Sequence, residues 1–142
     1  MGHHGGSPAK LCFDYREKTV QTHQEHNANS IRPVVVIPTY DNGGTLERVL
    51  DRIEAVGVDM IVVNDGSSDD TSEILERWSS RSAGINRIHR THDVNRGKAA
   101  AMLTGFKAAS EAGYTHGVTI DSDDQLDPEQ IPVLIEVATT QP

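Results

Sequence analysis

Short apolar runs and amphipathic stretches alternate along the chain from about residue 33 onward. Three of the runs are continuous and rich in β-branched residues: VVVI (34–37), MIVV (60–63) and GVTI (117–120). Continuous apolarity predicts strands that are covered on both faces, as in a parallel sheet. INRIHR (85–90) is a weaker strand candidate. Successive strands then start about 26 to 31 residues apart, a spacing that matches units in which a helix joins two parallel strands.

The segments that follow these strands carry apolar residues at helical spacing. They form four stripes: Leu46, Val49, Leu50 and Ile53; Ile74, Leu75 and Trp78; Ala99, Met102, Leu103 and Phe106; and Ile131, Leu134, Ile135 and Ala138. Asp69 or Asp70 is a candidate N-cap of the second helix, and Asp127 with Pro128 opens the fourth. The order of elements predicts an α/β fold. A mostly parallel, Rossmann-like sheet would lie between two layers of helices, as half of a doubly wound fold.

Composition narrows the class of protein. The chain has 142 residues and a formal net charge of −8, and this length suits one domain that buries about two thirds of its unfolded surface. No apolar run approaches the ~18 residues of a spanning helix, and no secretory signal opens the chain. One cysteine, Cys12, excludes an internal disulfide framework and a Cys-rich zinc site. The acidic balance argues against a nucleic-acid partner. We therefore expect a soluble, cytoplasmic globular domain.

Residues 1–32 differ from the rest of the chain. Four of the seven histidines fall here, beside the polar tract QTHQEHNANS. This composition favours a disordered leader, or a remnant of cloning, over a metal-binding segment. The short apolar stretch LCFDY (11–15) leaves open whether part of the leader docks on the domain. The predicted domain therefore covers residues 33–142.

Carboxylates follow three of the four predicted strands, at the sheet edge where ligands collect in such folds. Asp69, Asp70 and Asp127 are interpreted as ordinary capping residues. In extended backbone Asp121 and Asp123 would project to one side, roughly 7 Å apart, and Gln125 would join them if the extended path continued. Paired carboxylates suit Mg²⁺ or Mn²⁺. This pattern favours a divalent-cation site after the fourth strand.

The phosphate-binding motifs of other nucleotide-binding proteins are missing. The chain has no G-x-G-x-x-G, and Gly97-Lys98 lacks both the first glycine and the Ser/Thr of a P-loop. NRGKAAA (95–101) still places a glycine and two cations at a predicted helix start, where free N–H groups favour an anion. Anion binding and a plain basic turn both remain open for this segment.

Four motifs in order resemble the donor-binding half of family 2 glycosyltransferases, which have the GT-A fold: VVVIPTY, IVVNDGSSDDT, NRGKAAAMLTGFKAA and TIDSDDQLDP. The resemblance runs from about Pro33 to Pro132. The DSDDQ-x-DP form is most similar to the branch of dolichol- and polyprenyl-phosphate mannose or glucose synthases. The resemblance implies inverting transfer of a sugar from a UDP- or GDP-sugar to an acceptor, either a polyprenyl phosphate or a glycan. The location it implies is the cytoplasmic face of a membrane.

The resemblance also implies roles for individual residues. Four would line the pocket for the base and ribose of the donor: Pro38, Thr39, Tyr40 and Asp41. Asp65 would accept a hydrogen bond from the base, and Lys98 would lie near the phosphates. Asp121 would hold the ribose or share the metal. Asp123, together with Gln125, would bind the Mg²⁺ or Mn²⁺ that bridges the two phosphates and stabilises the leaving group.

Two departures from the family pattern affect local contacts. Asp41-Asn42 stands where the family often has Asn-Glu, and Asn64 replaces the first Asp of Asp-Asp-Gly-Ser. A third departure is length, because family members need a second half that supplies the acceptor site and an acceptor-activating carboxylate base. No candidate for that base lies in this chain. We therefore expect a donor-binding half domain, inactive alone, whose missing C-terminal part provides any membrane association.

Two other functions fit parts of the pattern. The D-x-D pattern of Asp121 and Asp123 also occurs in phosphatases with an aspartate nucleophile. In those phosphatases the pattern follows the first strand of the sheet, whereas here it follows the fourth. An acidic, receiver-like α/β module without catalytic activity is the second alternative. The receiver-like module gives no role to the PTY and NDGSSDDT motifs.

Overall fold

The fold is organised around one sheet whose strands alternate with helices. The computed structural model describes residues 12–14 (backbone only), 30–82, 84–125 and 127–140. The strands are β1 (Cys12–Asp14), β2 (Pro33–Thr39), β3 (Asp59–Asn64), β4 (Arg87–Thr91) and β5 (His116–Thr119). The helices are α1 (Gly43–Glu54), α2 (Thr71–Ser79), α3 (Lys98–Glu111) and α4 (Ile131–Thr140), the last preceded by a 3₁₀ turn (Pro128–Gln130). All four predicted strands and all four predicted helices are present.

The sheet has the order β1-β5-β2-β3-β4. β2 runs parallel to both β3 and β5, and β3 runs parallel to β4. The predicted α/β fold with a mostly parallel sheet is therefore confirmed. β1 adds an antiparallel edge strand beside β5, so the backbone of 12–14, part of the stretch whose docking the sequence left open, joins the sheet. The rest of the predicted leader before residue 30 lies outside the described residues.

Each central strand buries both of its faces. Val35 and Ile37 of β2 pack toward the side that carries α1, α2 and α4. Val34 and Val36 of the same strand pack toward α3 on the other side. All four side chains are fully buried, and each contributes on the order of 1.5–3 kcal/mol through removal from water. This two-sided burial is the physical reason for the continuous apolar runs.

The apolar stripe predicted on α3 is only partly confirmed, because Phe106 is buried and Met102 packs against the core, whereas Ala99 and Leu103 are exposed. Leu103 is 69% exposed, whereas Ala101 and Ala109 are fully buried. A Cβ added at Gly105 would collide with the side chain of Val36. Small residues together with Phe106 therefore form the inner face of α3. The small residues let the helix backbone lie close to the sheet, and Leu103 points outward.

Asp70 lies at the N-cap position of α2, but the side chain that bonds the start of the helix is that of Asp69. Its Oδ1 accepts hydrogen bonds from the backbone N–H and the hydroxyl of Thr71 (3.0 and 2.5 Å), and its Oδ2 accepts one from the N–H of Gly43 (2.9 Å). Asp70 makes no side-chain capping bond. Asp127 accepts from the N–H of Glu129 (3.0 Å) and so caps the 3₁₀ turn, as predicted. Within the described residues, no helix has the length and apolarity needed to cross a bilayer.

Candidate functional site

A cavity of about 300 Å³ opens at the carboxyl ends of β2, β3 and β5. In a parallel sheet the loops after adjacent strands meet at this edge, so residues distant in sequence converge there. Seven of the nine predicted site residues line the cavity: Pro38, Thr39, Tyr40, Asp65, Lys98, Asp121 and Asp123. The other two predicted residues, Asp41 and Gln125, are not among its lining.

The carboxylate of Asp65 organises the loop that follows β4. Asp65 is only 3% exposed. Its Oδ1 accepts a hydrogen bond from the N–H of Arg96 (2.8 Å), and its Oδ2 accepts one from the N–H of Gly97 (2.8 Å). Burial raises the pKa of this carboxyl, but the bonds from Arg96, His92 and Gly97 outweigh it and hold the pKa below its usual range. Asp65 is therefore a charged group fixed inside the cavity.

His92 is a site residue that the sequence analysis missed. It is 7% exposed; its Nδ1 lies 2.8 Å from Asp65 Oδ1 and its Nε2 lies 2.8 Å from Thr104 Oγ1. The register of β3 and β4 explains this contact. Asn64 pairs with Thr91, and the residues that follow them, Asp65 and His92, therefore lie side by side at the same edge of the sheet. His92 comes directly after strand β4, and β4 is the neighbour of the strand that precedes Asp65. That position in the sequence could have indicated a site residue. His92 connects the cavity to α3.

Asp41 lies in the loop after β2, with its carboxylate directed at the neighbouring loop. The backbone of Asp41 is left-handed (φ 51°). Its Oδ1 accepts a hydrogen bond from the N–H of Ser68 (2.7 Å), and its own N–H donates to Ser67 Oγ (2.9 Å). This geometry explains why Asp41 does not line the cavity. Tyr40, next to it, is 45% exposed and presents its ring at the rim.

Asn64, the departure from the family's second motif, has a structural role in the loop after β3. It is 1% exposed. Its Oδ1 accepts a hydrogen bond from the N–H of Ser67 (3.0 Å), and its Nδ2 donates to Ser72 Oγ (3.2 Å). The amide thus bonds to both the backbone of the loop before α2 and a side chain in the first turn of that helix.

The chain turns immediately after β5. Residues 122–124 form a turn, and Asp124 has a positive φ of 65°. The extended path needed to place Gln125 beside Asp121 and Asp123 is therefore absent, and Gln125 instead donates its backbone N–H to Asp123 Oδ1 (3.3 Å). Asp121 and Asp123 still both line the cavity. Asp121 makes an ion pair with Lys98, the first residue of α3 (Nζ to Oδ1, 2.6 Å).

The side chains at this edge fit a divalent cation shared with a ligand. Within residues 30–82, 84–125 and 127–140, no group of three or more His, Cys, Asp and Glu side chains could hold a metal alone. Asp121 and Asp123 supply two hard carboxylates. Mg²⁺ sites commonly use one or two protein carboxylates and complete the coordination with water and substrate phosphates. The donor set therefore suits a cation that binds together with a phosphate ligand.

Comparison with known proteins assigns the family. The profile of "Glycosyl transferase family 2" matches residues 34–142. The chain belongs to this family. Undecaprenyl-phosphate mannosyltransferase of Micrococcus luteus is 33% identical over 112 residues, which are 78% of this chain and 45% of the relative. Dolichol-phosphate mannosyltransferase of Pyrococcus furiosus is 37% identical over 106 residues, 72% of this chain and 28% of the relative. The chain thus spans less than half the length of these relatives.

Solved structures show the same fold. A mannosyltransferase from Pyrobaculum calidifontis, in complex with GDP-Man and Mn²⁺, superposes with a TM-score of 0.62 at 24% identity, over 75% of this chain and 32% of that chain. Glucosyl-3-phosphoglycerate synthase from Mycobacterium tuberculosis, in complex with Mn²⁺ and UDP-glucose, superposes with a TM-score of 0.59 at 25% identity, over 82% and 42%. The resemblance drawn from the four motifs is confirmed. The family assignment favours a glycosyltransferase over a phosphatase or a receiver-like module.

Proposed function

We propose that this chain is the donor-binding half of an inverting glycosyltransferase that moves a sugar from a UDP- or GDP-sugar to a polyprenyl phosphate. The observation that carries the proposal is the cavity, which brings a buried carboxylate (Asp65), a lysine (Lys98) and a carboxylate pair (Asp121, Asp123) together from three loops. These groups match a base, a diphosphate and its cation. The names of the two relatives support a lipid-phosphate acceptor, and the bound Mn²⁺ and nucleotide sugars of the two structures support the donor and the cation.

The base of the nucleotide binds at Asp65 in this proposal. A carboxylate offers about four acceptor positions. Oδ1 already has two partners, His92 and the N–H of Arg96, and Oδ2 has one, the N–H of Gly97. Oδ2 therefore retains a position for an N–H of the base. Tyr40 at the rim supplies an aromatic face against which the base can stack.

The diphosphate binds between the start of α3 and the turn after β5. Lys98 contributes a positive charge beside the free N–H groups of the helix N-terminus. Asp123, with Asp121, holds the Mg²⁺ or Mn²⁺, which when bound supplies Lewis-acid stabilisation of the nucleoside diphosphate leaving group. Gln125, as a metal ligand, stays a prediction that the turn geometry does not favour.

Sugar transfer forms a bond from an acceptor oxygen to C1 of the sugar and breaks the bond from C1 to the diphosphate, which leaves with the electron pair. Attack from the opposite face inverts the configuration at C1. An acceptor phosphate already carries a nucleophilic anionic oxygen, so this acceptor needs a general base less than a hydroxyl does. The matched segment covers less than half of the two relatives, and in this proposal the acceptor site lies in the part of such a protein that this chain does not cover. A lipid acceptor implies action at a membrane surface, and we propose the cytoplasmic face.

Calorimetric titration of the folded chain with GDP-mannose and UDP-glucose tests the proposal. We expect one of them to bind in Mn²⁺ and to bind at least about tenfold more weakly in EDTA, because the diphosphate then loses its cation. Asp123→Asn should remove most of the cation dependence. Asp70→Asn is the matched control, because it removes one exposed charge outside the cavity. A folded protein that binds neither nucleotide sugar in Mn²⁺ would refute the proposal.

A further inference from the structure

Helix α1 holds the residue immediately before Asp123. The Thr45 hydroxyl donates a hydrogen bond to the carbonyl oxygen of Ser122 (2.8 Å). Asn42, the residue before the helix, donates from Nδ2 to Ser122 Oγ (2.8 Å). Ser122 Oγ in turn donates to Thr39 Oγ1 (3.0 Å), and Ser122 is 2% exposed. Both the backbone and the side chain of Ser122 are therefore fixed.

The same helix holds the residue immediately after Asp123. Arg48 Nε donates to Asp124 Oδ2 (2.7 Å), and Arg52 Nη1 donates to Asp124 Oδ1 (2.8 Å). The two arginines are four residues apart and so lie on one face of the helix. Each carboxylate oxygen of Asp124 thus accepts a charge-assisted hydrogen bond, and such bonds are strong and geometrically specific.

Asp123 is the carboxylate that this arrangement leaves available. Among the described residues, Asp121 pairs with Lys98 and Asp124 pairs with two arginines, whereas Asp123 makes no ion pair. The backbone of Asp124 is in the left-handed region (φ 65°), which non-glycine residues seldom adopt without support. The paired arginines supply that support, so they favour the turn that presents Asp123 to the cavity.

We propose that Arg48 and Arg52 are positioning residues, which anchor Asp124 and thereby hold the Ser122–Asp124 turn in the form that presents Asp123 to the divalent cation. The proposal rests on the proposed function, in which Asp123 binds that cation. Without the anchor, the turn populates other conformations, and the apparent dissociation constant of the cation rises by the factor by which the competent form is depleted. Exposed ion pairs add little to stability, and Arg48 and Arg52 side chains are 60% and 42% exposed. Two such pairs can still shift the local equilibrium of the turn by up to about tenfold, while they leave the melting temperature nearly unchanged.

Three variants test this assignment. Asp124→Asn keeps the size of the side chain and its tolerance of positive φ but removes the charge. Arg48→Gln combined with Arg52→Gln removes both donors of the anchor. Arg77→Gln is the matched control, because Arg77 is 61% exposed and its guanidinium lies 3.8 Å from Glu47, away from the turn.

The readout is the Mn²⁺ dissociation constant, measured by electron paramagnetic resonance with saturating UDP or GDP, whichever the unmodified chain binds. Nucleotide affinity in EDTA and the melting temperature are measured beside it. We expect Asp124→Asn and the double arginine variant to raise the Mn²⁺ constant about tenfold. Their nucleotide affinity in EDTA should not change, and Arg77→Gln should behave like the unmodified chain.

Two results separate the proposals. If the unmodified chain shows no Mn²⁺-dependent nucleotide binding, the proposed function fails. If the unmodified chain binds, and both Asp124→Asn and the double arginine variant keep the Mn²⁺ constant within about twofold, the anchor has no positioning role. A loss of nucleotide affinity in EDTA equal to the loss in Mn²⁺ also overturns the inference, since that pattern indicates general disruption of the cavity.

Discussion

Lys98 Nζ lies 2.6 Å from Asp121 Oδ1, so a cation of the protein already occupies one carboxylate of the predicted metal pair. Both side chains are accessible, at 58% and 44% exposure. A divalent cation and Lys98 therefore compete for Asp121, while both favour the diphosphate. This relationship gives the lysine opposite effects on the two ligands.

Lys98→Met should therefore strengthen Mn²⁺ binding in the absence of nucleotide and weaken binding of the nucleoside diphosphate in Mn²⁺. One charge at about 4 Å in water is worth about 1 kcal/mol, so each change should be about fivefold. Mn²⁺ titration with and without nucleotide measures the two constants separately. Changes of the same sign in both would contradict competition at Asp121.

His92→Leu should destabilise the protein and weaken nucleotide binding. The substitution leaves a buried carboxylate, Asp65, without one of its partners, and such a loss costs about 1–3 kcal/mol. Urea unfolding measures the stability, and nucleotide titration measures the affinity. His89→Leu is the control, because His89 also lies on strand β4, whereas the Asp65 carboxylate bonds to His92, Arg96 and Gly97. Equal losses in both variants would show that His92 has no specific link to Asp65.

Acidification should destabilise the fold through carboxyls whose native pKa is lowered, among them Glu54, Asp65 and Asp69. Burial raises the pKa of Glu54, Asp65 and Asp69, but hydrogen bonds outweigh it, and each native pKa lies below its ordinary value. The native state then binds fewer protons than the unfolded state as the pH falls through this range. For Asp65 the stabilisation is complete above its ordinary pKa of 3.8 and is lost as the pH falls through the lowered native pKa.

Urea unfolding at a series of pH values between about 7 and 3 checks this sign for Asp65. Asp65→Asn should be less stable than the unmodified chain at neutral pH, because Asn cannot accept all the bonds of the carboxylate. The difference in unfolding free energy should shrink as the solution is acidified. A difference that stays constant, or grows, toward low pH would contradict a lowered native pKa at Asp65.

Gly105→Ala should destabilise the protein although alanine favours helix. The new Cβ would meet buried Val36, and such overpacking costs about 1–3 kcal/mol, against a gain of up to about 1 kcal/mol from helix propensity. Gly44→Ala is the matched control within α1, because no atom lies within 4 Å of its added Cβ. Thermal unfolding of both variants distinguishes the two cases. A stabilising Gly105→Ala would show that α3 can move away from the sheet.

Sequence patterns predicted the fold and most of the cavity for identifiable physical reasons. The runs 34–37 and 60–63 are buried on both faces, and their continuous apolar composition therefore predicted strands of a parallel sheet. Parallel topology then brought Asp65 and Asp121 to one edge. The turn after β5 was not predictable, because Asp124 has a left-handed backbone and its side-chain partners lie on helix α1, 72 and 76 residues earlier in the chain. Long-range side-chain contacts leave no periodic signal in a single sequence.

The inner face of α3 was not fully predicted, because it depends on how closely the helix packs on the sheet. The stripe through Leu103 was predicted from the helical spacing of apolar residues, whereas the inner face also depends on how closely the helix approaches Val36. His92 was missed because its role depends on the register of β3 and β4. For both α3 and His92, a single sequence does not show how close two elements of the fold lie to each other.

The Asp69 carboxylate contacts the first residues of both α1 and α2, Gly43 and Thr71. A Cβ added at Gly43 would meet the Asp69 and Asp70 side chains. Evolutionary change at position 69 is therefore constrained from two helices at once. In descendants of this sequence, we expect positions 43 and 69 to vary together, so that a library which diversifies one of them alone will be depleted of folded members.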